Sequence, residues 1–98
     1  MRRLTDKLEL YKIIPASSNI NKLYEILREH GGCRMIKLAE MPLVYWMSNN
    51  NIGGVKGANV WYDATDLPGA QKAWMSIRKN GVLYPIRGML CILVRDVK

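Results

Sequence analysis

Phenylalanine is absent from this 98-residue chain, and histidine occurs once, as His30. The aromatic content rests on three Trp and five Tyr, rings that carry a polar group and suit a core or a binding surface equally. A single histidine among scattered carboxylates supplies no nucleophile–base pair and no paired acid and base. No glycine-rich phosphate loop, dinucleotide fingerprint or zinc spacing is present either. Neither an enzyme nor a cofactor is therefore expected. Two cysteines, Cys33 and Cys91, are too few for a disulfide framework and read as reduced thiols, with a single bridge left open. The longest apolar run near the end, "MLCILV", is far too short to cross a bilayer. The opening "MRRLTDKLELYK" sets charges where the apolar core of a secretory leader would stand. A cytoplasmic protein with no membrane partner is the expectation.

Acidic groups are scarce toward the end. Residues 1–69 hold nine basic and seven acidic side chains, whereas residues 70–98 hold six basic ones against Asp96 alone. The net charge is +7. Such an excess suits either a polyanion or an acidic protein surface, and it also serves plain solubility. Charge is missing altogether from residues 41–55, a window that includes the run Asn49, Asn50 and Asn51.

The clearest element is a helix within "SSNINKLYEILREHGG". A Ser or Asn cap precedes Ile20, Leu23, Tyr24, Ile26 and Leu27 at helical spacing, and Gly31-Gly32 ends it. His30 in its last turn reads as a group that favours the helix dipole. A second helix is expected in "DLPGAQKAWMSIRKNG", capped by Asp66, with Ala70, Ala73, Trp74 and Ile77 on one face. Strands are expected around Val60–Tyr62 and in "VLYPIRGMLCILVRD", whose second half is apolar enough to be central. Residues 4–14 and 33–50 fit helix or strand. The segments "WMSNNNIGG" and "WMSIRKNGV" share a Trp-Met-Ser frame and a glycine at the same offset, Gly53 and Gly81. The shared letters read as apolar helix-end positions, and if the protein binds a polyanion, the difference between the copies is where its binding residues are expected.

The stretch "LYEILREHGGCRMIKLAE" resembles the first two helices of winged helix-turn-helix DNA-binding domains. Leu23, Ile26, Leu27, His30, Gly31, Leu38 and Ala39 carry the likeness, which covers residues 20–40. That resemblance implies that "LVYWMSNNN" takes the place of the recognition helix and "GGVKGANVWYD" that of a wing. Asn49, Asn50 and Asn51 would then meet base edges. Lys56 would meet phosphate from the wing, and Arg34 and Lys37 join the same DNA-facing set. Lys72, Arg78, Lys79 and Arg87 form a candidate phosphate-contacting face in the basic third.

Two α+β arrangements follow for a single domain spanning 1–98. One is winged-helix-like with an extra C-terminal helix and hairpin. The other is a β-α-β-β-α-β two-layer sandwich. The leading functional expectation is a small regulatory binder of double-stranded DNA. The alternative is a protein–protein interaction module, such as a phage-like inhibitor or adaptor from a mobile genetic element that binds an acidic partner surface. A homodimer is compatible with both.

Overall fold

The strongest apolar run lies at the centre of the structure. In the computed structural model, which describes residues 2–65, 72–76 (backbone alone for 73–76) and 89–97, Met89–Asp96 forms the last strand, β6. Cys91, Ile92, Leu93 and Val94 are all fully buried along it. Side chains on a strand alternate between faces, so four consecutive buried residues require cover on both sides of the sheet.

The strands are β1 (Arg2–Thr5), β2 (Leu8–Ala16), β3 (Arg34–Met35), β4 (Asn59–Asp63), β5 (Lys72–Ser76) and β6. Their order is β1-β2-β6-β4-β5, with β3 also on β6. One edge of β6 pairs antiparallel with β2 from Leu8↔Asp96 to Ala16↔Met89. The other edge is shared. Arg34 and Met35 pair antiparallel with Val94 and Leu93, while Asn59 and Val60 pair parallel with Met89 and Leu90. Ile36 closes the fork, since its N–H donates to Ile92 O at 3.1 Å and its carbonyl accepts from Asp63 N at 2.9 Å.

Two helices supply the cover, α1 (Ile20–Glu29) and α2 (Met41–Asn49). Leu23 of α1 packs with Cys91, Leu93, Met35 and Trp61 on one face. Met41, Val44 and Met47 of α2 pack with Ile92, Val94, Ile36 and Val60 on the other. The helices therefore sandwich the sheet. The Asn19 carboxamide oxygen accepts from Asn21 N at 2.9 Å and caps α1 at its start. At the other end His30 Nδ1 lies 3.0 Å from Ile26 O, and Gly32 takes the left-handed φ of +88°. Nine residues are too few for a free helix in water, so α2 depends on its buried face. Each of its three large buried side chains contributes roughly 1.5–3 kcal/mol of hydrophobic burial.

An α+β chain with a mainly antiparallel sheet is thus present, but three sequence expectations change. Residues 72–76, read above as helix, form β5, with Val60, Trp61 and Tyr62 of β4 opposite Met75, Trp74 and Ala73. The Ala–Trp spacing that mimics a helical face lies instead along a strand zipped to β4. Residues 33–40, read through the family likeness as a second helix, form β3 and a single 3-10 turn at Leu38–Glu40. Backbone pairing of Arg34 and Met35 to β6 outweighs the local Met35/Leu38/Ala39 spacing. The sandwich alternative takes residues 33–50 as strand and its second helix from "DLPGAQKAWMSIRKNG", whereas the second helix here is α2, on the opposite face of the sheet from α1. The cap Asp66 and the expected strand before β6 lie outside the described residues.

Candidate functional site

Burial of Met41, Val44, Met47 and Ser48 directs the opposite side of α2 outward. That side presents Tyr45, 39% exposed, and Trp46, 44% exposed. Trp61, by contrast, is 3% exposed and donates its indole N–H to Ser17 O at 2.9 Å. The asparagine run follows directly. Asn49 is the exposed last residue of α2. Asn50 folds back, its side-chain Nδ2 donating to Trp46 O at 2.7 Å. Asn51 adopts φ +54° and its N–H donates to Ser48 O at 3.2 Å. Asparagine tolerates that left-handed conformation better than most residues. The run thus closes the helix, and its amides stand at the C-terminal, partially negative end of the helix dipole.

The expected cations are distributed differently from the expected interface. Arg34 is held by two carboxylates. Its Nη1 and Nη2 donate to Glu40 Oε1 and Oε2, and its Nε and Nη2 to Asp96 Oδ2 and Oδ1, all at 2.8 Å. Both carboxylates raise the pKa of the guanidinium further. Burial pulls Glu40 upward, but hydrogen bonds from Arg34 and from Lys37 N–H outweigh it and hold its carboxyl below the ordinary range. The Arg34 hydrogen bonds likewise lower Asp96. Arg34, assigned above to nucleic acid, therefore ties β3 to the 3-10 turn and to the end of β6. Lys37 is exposed just before that turn, and its N–H donates to Glu40 Oε1 at 2.9 Å.

Lys56 is half-buried in the loop between α2 and β4. Lys72 opens β5, with Nζ 3.8 Å from Asp63 Oδ2 and 5.5 Å from the centroid of the Tyr24 ring on α1. It therefore belongs to the α1 side of the sheet, whereas Asn49–Asn51 end α2 on the other. Arg78, Lys79 and Arg87 lie outside the described residues. Those that are described do not converge on one face.

Sequence reading passed over the two exposed rings of α2. Their signal was legible, because Met41, Val44 and Met47 recur at helical spacing and leave Tyr45 and Trp46 outside it. The cysteines are both free, Cys33 half-buried and Cys91 buried. Burial pushes the Cys91 thiol up to about 11. Among the described residues no cluster of His, Cys, Asp and Glu is arranged to hold a metal ion, and no helix is long and apolar enough to cross a membrane. Comparison of the chain with protein-family models, with curated proteins and with solved structures finds no match.

Proposed function

We propose that this protein is a small non-enzymatic interaction module that docks on an acidic protein surface, with the exposed side of α2 at the centre of the contact. One observation carries the reading: Tyr45 and Trp46 stand exposed on a helix inside a window, residues 41–55, that has no charge. Tyrosine and tryptophan are enriched among the residues that dominate protein–protein affinity, at contact centres from which charge is depleted. A groove-reading helix needs cations for the phosphate attraction that dominates DNA affinity. It also reads bases mainly from its N-terminal part, whereas the asparagines close the C-terminal end of α2. The net charge of +7 then steers the protein toward an acidic partner and raises the rate of encounter.

A second reading, a regulatory double-stranded DNA binder of winged-helix type, draws on the basic excess of residues 70–98. A titration of labelled duplex DNA at two salt concentrations separates the two. Docking on protein expects only weak, sequence-independent duplex binding that Tyr45→Ala and Trp46→Ala leave unchanged. Sequence-selective affinity that falls steeply with salt and is altered by Asn50→Ala would establish the DNA reading instead.

A further inference from the structure

A second cation is handled quite unlike Arg34. The guanidinium of Arg95 lies over the ring of Tyr11, 4.9 Å from its centroid. Its Nη2 donates to Cys33 Sγ at 3.6 Å, and sulfur is a weak acceptor. Among the described residues it meets no carboxylate, although Glu9 is its direct partner across β2 and β6. The Glu9 carboxylate instead accepts from Arg3 at 3.4 Å. Tyr11 shares the face of Glu9 by strand alternation and stands at a bulge. The register passes from Leu10↔Val94 to Lys12↔Leu93, leaving Tyr11 as the extra residue. Its ring is held edge-to-face against His30, with centroids 6.3 Å apart at 67°.

We infer that Arg95, presented on the Tyr11 ring on the α1 face of the sheet, is a receptor for one carboxylate of an acidic peptide segment, a contact separate from the exposed side of α2 on the opposite face. A guanidinium fork matches a carboxylate with two parallel hydrogen bonds, and stacking on an aromatic face sets its orientation in advance. Ordering this side chain before binding lowers the entropic cost of the contact. The ligand is a single carboxylate because the surroundings are mixed in charge. Glu9 lies directly across the sheet, and Glu29 immediately precedes His30. A nucleic-acid backbone requires repeated cations along its path. Tyr11 acts as a positioning residue.

Fluorescein-labelled octaglutamate, followed by anisotropy at low salt, tests this on the whole chain. Wild-type protein should bind. Arg95→Lys keeps the charge but should weaken binding roughly tenfold, because lysine offers no planar fork. Tyr11→Leu should weaken it several-fold while Tyr11→Phe, which retains the ring, stays at the wild-type value. Lys22→Ala, at the far end of α1 from His30, should have little effect. Absence of wild-type binding, or wild-type affinity in Arg95→Lys and Arg95→Ala variants of unchanged melting temperature, overturns the proposal. Equal losses in the Arg95 and Lys22 variants reduce it to net charge and overturn it too. Arg95-dependent duplex DNA binding that displaces octaglutamate would assign the site to phosphate instead. Tyr45→Ala should leave octaglutamate binding unchanged, so failure here is distinguishable from failure of the α2 docking reading.

Discussion

Arg34 and Asp96 are joined by two hydrogen bonds of 2.8 Å, although 62 residues separate them in the chain. The pair fastens β3 to the end of β6, and Glu40 holds the other side of the same guanidinium. Truncating Arg34 leaves two neighbouring carboxylates facing each other without their cation. Arg34→Ala should cost about 1–3 kcal/mol, the range for charge-assisted hydrogen bonds, toward the lower end because Asp96 is largely exposed. Urea unfolding at neutral pH measures it.

The same cluster sets an acid dependence. Glu40 and Asp96 are both held below their ordinary carboxylate range in the folded protein. Groups with depressed folded values contribute stability above the unfolded value, about 4, and lose it as pH falls through the folded one. Wild-type stability should therefore decline as the pH drops below about 4. Arg34→Ala should flatten that decline while lowering the neutral-pH plateau. Parallel acid limbs in the two proteins would show that the cluster does not govern it.

Gly53 follows the asparagine run with φ +71°, and a Cβ there would collide with Ile13 Cδ1. Left-handed backbone and overpacking act together, so Gly53→Ala should destabilise by about 1–3 kcal/mol. Gly54 also has positive φ, +66°, but open space around it. Gly54→Ala should cost only about 1 kcal/mol, the backbone part alone. Thermal melts of the two variants give the comparison directly.

The two described indoles should separate in fluorescence. Trp46→Phe should remove a red-shifted component that acrylamide quenches readily, and Trp61→Phe a blue-shifted one that resists quenching. Trp46→Phe should change stability by no more than about 0.5 kcal/mol, as expected for an exposed site. A large loss would mean that Trp46 serves the core and not a partner.

Thiol labelling with a disulfide reagent should modify Cys33 well before Cys91. Cys91 is fully buried and its thiol is pushed up to about 11, so little thiolate is present at neutral pH. Its labelling should follow global unfolding. Equal rates for the two thiols in native protein would contradict the burial of β6.

Several features followed from local sequence alone. The periodic apolar residues and flanking caps of α1 specify that helix, because the pattern and its stop signals agree. The run Met89–Val94 announces a strand buried on both faces. The exposure of Tyr45 and Trp46 also follows from spacing, once α2 is known to be a helix. Other features depended on distant partners. Residues 72–76 carry a helical spacing, yet pairing with β4 makes them a strand. Residues 33–40 have two acceptable local readings, and the free edge of β6 selects one of them. The roles of the two arginines were equally hidden. Arg34 meets Glu40 and Asp96, while Arg95 meets Tyr11, which shares its face of the β2–β6 pair through its register partner Glu9. Composition supplied the cations, and long-range strand pairing determined that Arg34 is tied up between two carboxylates while Arg95 rests on a ring.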